Sequence, residues 1–240
     1  MLAQLQGVLA NPQARAALAP YLNGNTPWAS DFVQAAARGG RSVVPWADLV
    51  LTTNRLPDGP YDRDSYATVV TRLADEREYA RLARLYPRLP GADAARLRSL
   101  GFSREATYPP VDWQLSSTSD VEALFAASPS RDGGVELVAT ARPLARGTVA
   151  RKLVWVADSG GVLSWTVADS GGGSGAAATV SATCAGTTVT SDNLVGRRGK
   201  MALALPRQCD VADVRVDLMG GSGREDTMLS LKGMHLGSVE

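Results

Sequence analysis

Up to about Leu100, apolar residues recur every three to four positions; beyond it they alternate with polar ones or gather in short β-branched runs. The opening "LAQLQGVLANPQARAALAPYL" is rich in Ala and Leu, both strong helix formers. In "DRDSYATVVTRLADEREYARLARLYPRLP", Tyr66, Val69, Val70, Leu73, Tyr79, Leu82, Leu85 and Tyr86 form the stripe of amphipathic helices. A break near Asp75–Glu78 divides that stretch into two antiparallel helices. "TPWASDFVQAAARGG" predicts a helix with Thr26 as N-cap, Pro27 at its first position and glycines past its end. "VPWADLVLTTN" repeats the Pro-Trp start, and both Trp28 and Trp46 are expected to wedge between helices. "GADAARLRSLGF" predicts a last short helix. Short helices in regular succession predict a solenoid-like helical repeat, its repeat type left open.

After Gly101 the pattern changes. "YPPVDWQLS" is held extended by its prolines, because the residue before proline avoids the helical region. "GVELVATAR", "GTVARKLVWVA", "GVLSWTVA", "ATVSATCA", "KMALALP", "VRVDLMG" and "TMLSLKGMHL" are short runs separated by Gly, Ser, Asp or Pro. Seven or eight such strands over about 130 residues predict an antiparallel sandwich. The expected class is therefore α+β in two domains, helical over 1–104 and β-sandwich over 105–240.

The hexapeptide VADSGG occurs twice, at Val156–Gly161 and Val167–Gly172. DSGG surrounds the nucleophilic serine of chymotrypsin-like proteases, which makes Ser159 and Ser170 candidates. That chemistry needs a histidine base beside the serine and an acid to orient it. The sole histidine is His235, near the C-terminal end and in the wrong chain order. Asp, Ser and paired Gly are also what a tight turn uses, since glycine tolerates positive φ. The first copy is therefore expected as a hairpin loop, and the second as the start of a mobile "GGGSGAAA" loop. That glycine run lacks the Gly-Lys-Ser/Thr ending of a phosphate loop. His235, in an apolar strand, is expected as a packed side chain. The pairs Asp75/Glu76 and Glu225/Asp226 are expected as solvated carboxylates. No catalytic residue, metal site or cofactor is assigned, although scattered Asp residues could hold a structural calcium.

Composition narrows the partners. With 45% hydrophobic and 20% charged residues the chain is globular in character. A net charge of +1 gives no basic stripe for nucleic acid. No apolar run is long enough to span a bilayer. The opening residues are too polar for a secretory signal, and they begin within a helical pattern, so an export signal would lie upstream. Cys184 and Cys209 are the only cysteines, too few for a four-ligand zinc site. They read either as a disulfide or as two buried thiols.

The segment "GFSREATYPPVDWQLSS…GGVELVATARPLARGTVARKLVWV…GGVLSWTV…KMALALPRQCDVADVRVDLMG…MLSLKGMHL" resembles the C-terminal module of proteobacterial envelope proteins. Those carry tetratricopeptide-like helical repeats followed by a carbohydrate-binding-like, jelly-roll β-sandwich. The similar features are the "REA-YPP-DW" opening, the "G-VAR-L" strand, a Trp- or Cys-bearing middle strand, "P--C" before a late strand, and an alternating last strand. The resemblance implies a periplasmic or otherwise exported location and polysaccharide as a ligand of the sandwich. It further implies a protein partner on the helical surface, and a bridge between Cys184 and Cys209 on neighbouring strands. Sugar binders stack aromatic rings on the apolar face of a pyranose. Since no Phe, Tyr or Trp follows Trp165, the candidate platforms are Trp113, Trp155 and Trp165. Two rival readings stand beside this non-catalytic one: a pure protein–protein assembly module, in which all three rings are buried, and a polysaccharide-active enzyme.

Overall fold

The computed structural model describes all residues except 1–7, 23–25, 41, 54, 130–133, 157–159, 185, 195–197, 207–208 and 238–240. The chain divides into two compact units: Met1–Ala94 with Thr107–Pro109, and Ala95–Ala106 with Pro110–Glu240.

The first unit holds, among its described residues, helices α1 (Pro12–Leu18), α2 (Ala29–Arg38), α3 (Val44–Thr52), α4 (Pro60–Asp75) and α5 (Tyr79–Leu85). The stripe breaks as expected, with Arg77 at a φ of 59° between α4 and α5. Polar side chains close the helix ends. Asn11 accepts from the Gln13 N–H at the start of α1 (2.9 Å). Arg72 donates to the carbonyls of Ala37, Gly39 and Gly40 beyond α2 (3.0, 2.9 and 2.9 Å). Glu76 accepts from Ser42 and from the Val43 N–H ahead of α3 (2.6 and 3.3 Å).

The two Pro-Trp pairs part company. Helix α2 starts later than Thr26 and Pro27 predict, with Trp28 at its N-cap. That position lies off the buried stripe, so Trp28 is 40% exposed instead of wedged. Trp46, inside the first turn of α3, is buried against Tyr66 with ring centroids 5.9 Å apart. Buried tyrosines turn their tips to carbonyls: Tyr66 Oη donates to Pro57 O (2.9 Å) and Tyr108 Oη to Pro90 O (2.6 Å).

The expected last helix is only a 3₁₀ turn, Ala94–Leu97. Beyond it Leu100 joins the sandwich core and Phe102 packs on it, which carries the chain away from a helical path.

The second unit is a sandwich of two antiparallel five-stranded sheets. Its strands are β1 (Gln114–Leu115), β2 (Val121–Ala127), β3 (Val135–Ala141), β4 (Arg146–Trp155), β5 (Gly160–Gly171), β6 (Ala177–Cys184), β7 (Thr187–Asn193), β8 (Arg198–Ala204), β9 (Val211–Met219) and β10 (Thr227–Gly237). One sheet runs β1-β4-β9-β6-β7, the other β2-β3-β10-β5-β8. Alternation sorts the faces: on β9, Ala212, Val214, Val216 and Leu218 enter the core, while Asp213, Arg215 and Asp217 point outward.

Neither copy of VADSGG is the turn the pattern suggests. β4 and β5 belong to different sheets, so the first copy joins two sheets and closes no hairpin; its Ala157–Ser159 lies outside the described residues. The second copy lies mostly inside β5, where Ser170 pairs with Leu229. The glycine run after it is docked, because the Ser222 N–H donates to Ser174 O at 2.8 Å.

Candidate functional site

The three tryptophans of the sandwich have different fates. Trp113 and Trp165 are each only 3% exposed and belong to the core. Neither leaves a ring face for a pyranose, which corrects the expectation for both as platforms. Trp113 donates from its indole N–H to Leu100 O (3.2 Å) and its ring meets Phe102 at 5.6 Å. Trp165 lies across from Gly199, where an added Cβ would come within 2.4 Å of the ring; the glycine makes room for the indole. Trp155 ends β4 on the outward side, opposite Val211, and is half-buried.

Charged side chains occupy the same outer face. Arg151 Nε donates to both oxygens of Asp213 (3.1 Å each), and an Arg215 guanidinium N–H donates to Asp213 Oδ2 (2.7 Å). Arg151 and Arg215 are direct cross-strand partners, an arrangement of like charges that is unfavourable without a carboxylate between them. Asp213 supplies it. One row on, Thr148 Oγ1 donates to Asp217 at 2.6 Å. Towards the sheet edge the register continues with hydroxyls: Thr179 faces Asp217, Ser181 faces Arg215 and Thr183 faces Asp213. The face thus joins one accessible indole to fixed donors and acceptors. Sequence reading found Trp155 but missed Arg151, Asp213 and Arg215; the alternating charge in "DVRVD" was the only signal for the last two.

A second polar cluster lies inside this unit. Lys152 is buried; its ammonium donates to Val111 O. Burial drives its pKa from 10.5 down to about 8, with Arg96 adding to the fall and Asp112 opposing it. Arg96 binds Asp112 (3.2 Å), Ser103 (3.2 Å) and the carbonyl of Glu105. The cluster ties the segment before β1 to β4. On the other sheet Glu136 is buried, which favours its neutral form. Hydrogen bonds from Ser128 and Ser230 and the charge of Lys232 outweigh that and hold its pKa below the usual value.

The protease candidates are not brought together. Ser170 pairs with Leu229, whereas His235 pairs with Ser164, six positions along β10; that is roughly 20 Å along an extended strand. His235 is exposed, not packed. Of the carboxylate pairs, Glu76 caps a helix, and Glu225 and Asp226 are exposed in the β9–β10 loop. Among the described residues no three His, Cys, Asp or Glu side chains are grouped as metal ligands. Cys184, at the end of β6, and Cys209, just before β9, form a disulfide with Cα atoms 5.9 Å apart. Among the described residues no helix is long and apolar enough to cross a membrane.

No family model matches the chain, and neither does any curated protein. Among solved structures, a family 61 carbohydrate-binding module in complex with β-1,4-galactotriose is similar at a TM-score of 0.36 and 10% identity, over 53% of this chain and 88% of that one. The CBM22-1 xylan-binding domain of Xyn10C from Paenibacillus barcinonensis gives 0.36 and 17%, over 60% and 96%. A structure of accessory secretory proteins 1, 2 and 3 of Streptococcus pneumoniae gives 0.31 and 8%, over 53% and 100%. Likeness of this extent carries no information on ligand. The sandwich is defined by its own strand pairing.

Proposed function

We propose that this is a non-catalytic, exported envelope protein whose β-sandwich binds polysaccharide on the outer face of the β1-β4-β9-β6-β7 sheet. The observation that carries the reading is Trp155. It is the one sandwich tryptophan outside the core, and it shares its face with the Arg151–Asp213–Arg215 cluster and a field of hydroxyls. An indole offers a stacking surface to a sugar ring, and charged side chains make stronger hydrogen bonds to hydroxyls than neutral ones do. The disulfide supports export, because such bonds persist in oxidising compartments. The helical unit, as a tetratricopeptide-like scaffold, would take a protein partner; exposed Tyr21, Trp28 and Tyr61 support that role.

Affinity electrophoresis against neutral and acidic polysaccharides tests the proposal. Retardation of the parent, lost in Trp155→Ala with an unchanged melting temperature, is expected. No retardation by any glycan would leave the second reading, a protein–protein assembly module, which the burial of Trp113 and Trp165 favours. A polysaccharide-active enzyme would need two carboxyls facing one cleft, about 5–10 Å apart.

A further inference from the structure

At the end of the sandwich away from Trp155 lies a cleft of about 470 Å³. It is bordered by Ser170, Gly171, Asn193, Leu218, Thr227 and Met228, with glycines, alanines, Leu194 and Leu229 filling the rest of its wall. Leu218 is seven positions along β9 from Val211, the partner of Trp155, which is roughly 23 Å at the rise of a strand. The volume falls within the range of about 300–1,000 Å³ usual for small-molecule pockets.

The walls are fixed by backbone packing that only glycine permits. A Cβ on Gly172 would meet Thr227 Oγ1 at 2.6 Å and Ala176 Cβ at 2.7 Å, and one on Gly221 would meet the Gly173 carbonyl at 2.6 Å. Hydrogen bonds join the two loops. The Ser222 N–H and hydroxyl both reach Ser174 O (2.8 and 3.1 Å), Gly221 N–H donates to Thr227 Oγ1 (3.1 Å), and Leu144 N–H to Gly221 O (3.1 Å). A cleft with such walls is largely formed before any ligand arrives, which lowers the cost of binding.

Its chemistry selects the ligand. Among the described residues no side chain bordering the cleft is ionisable, so a charged ligand would lose water and find no counter-charge among them. The Ser170 hydroxyl, set by the register on the same side as Leu229, donates and accepts hydrogen bonds, as sugar hydroxyls do. Ala176 and Ala178, partly exposed in the cleft wall, offer apolar contact for a ring's C–H face, and the glycines let the ligand approach the backbone. We propose that this cleft binds one uncharged sugar ring, as a site separate from the Trp155 face. The inference rests on the glycan-binding reading of the sandwich for its ligand class, and on the cleft alone for its place.

Calorimetric titration with the methyl glycosides of glucose, galactose, mannose and xylose, beside those of glucuronic and galacturonic acid, tests it. Saturable binding of at least one neutral glycoside is expected, with both uronates at least about 10-fold weaker, or roughly 1.4 kcal/mol. Ala178→Phe should abolish that binding, since Ala178 lines the cleft and the register sets it on the inward side with Leu218. Ser170→Ala should weaken it about 10-fold, and Trp155→Ala should leave it unchanged, with equal melting temperatures. If no glycoside binds, if the uronates bind as well as the neutral sugars, or if stably folded Ser170→Ala binds like the parent, the cleft is not this site. Polysaccharide retardation lost in Trp155→Ala without glycoside binding would overturn the cleft and leave the proposed function standing. Glycoside binding sensitive to Ala178→Phe, with no retardation by any polysaccharide, would do the reverse.

Discussion

The helical unit and the sandwich bury different kinds of side chain and handle polar groups in opposite ways. The helical unit packs Trp46, Tyr66, Tyr86 and Tyr108, and its Tyr66 and Tyr108 hydroxyls satisfy carbonyls left open by non-helical turns. The sandwich core is mostly aliphatic, with Trp113 and Trp165 as its two indoles, and its charged clusters lie on the outer face or beneath the segment before β1. Tyrosine suits irregular helix ends because it is apolar along its ring and polar at its tip. Valine and leucine suit two facing pleated sheets, where the ladders already satisfy the backbone. Exposed aromatics consequently mean different things in the two units. On the helices Trp28 and Tyr61 sit at helix starts, off the buried stripe; on the sandwich Trp155 is a ring that the core did not claim.

The sharpest way to break this comparison is at the tryptophans. Trp165→Ala should cost about 3–5 kcal/mol, as expected for removing a buried aromatic, whereas Trp155→Ala should stay within about 1 kcal/mol of the parent. Urea denaturation followed by circular dichroism measures both, and equal losses would put Trp155 in the core. Next in size is the disulfide. Reduction, or Cys184→Ser with Cys209→Ser, should cost about 3 kcal/mol for a span of 25 residues. Thiol titration of the denatured, unreduced protein should find no free cysteine.

Lys152 comes third. Its pKa in the folded protein is near 8 and in the unfolded chain near 10.5, so over that interval the unfolded chain holds the proton more tightly. Stability should rise as pH climbs from about 8 to about 10.5, and the cost should be fully present below about 8. The whole span is worth up to about 3 kcal/mol. Denaturant midpoints at pH 7, 8, 9 and 10 read the slope, and Lys152→Met should flatten it. The smallest effect belongs to the helices. Tyr66→Phe removes one buried hydrogen bond and should cost about 1 kcal/mol, read as a lower melting temperature. Burial, assisted by Asp62, holds the Tyr66 phenol well above its usual range, so spectrophotometric titration should find it resisting ionisation until the fold opens.

Much of the local structure was legible in the chain. The stripe from Tyr66 to Tyr86 marked α4 and α5 and placed their break, and all seven runs read as strands lie in strands. Three strands escaped. β1 is two residues long; β2, "VEALFAA", is written in helix formers; β7, "TTVTSDN", is polar throughout. β2 is extended because its neighbour β3 pairs with it over seven residues, Val121–Ala127 against Val135–Ala141, and ladder bonds override weak intrinsic preference. Of the site, Trp155 was legible as a candidate but not separable from Trp113 and Trp165. Which face a strand residue takes depends on pairing, and the expected β4–β5 hairpin does not exist.

By itself the sequence determined what depends on neighbours in the chain: helical periodicity, strand alternation and the change of pattern near Gly101. Only the tertiary structure decided which strands pair, and hence that the first VADSGG copy stands between strands of different sheets, that Gly199 makes room for Trp165, and that Arg151 and Arg215 meet over Asp213. The reason is physical. Periodicity is set by bond geometry within a few residues, whereas strand pairing is chosen by burying both sheets' apolar faces at once, a condition that no short stretch of chain can express.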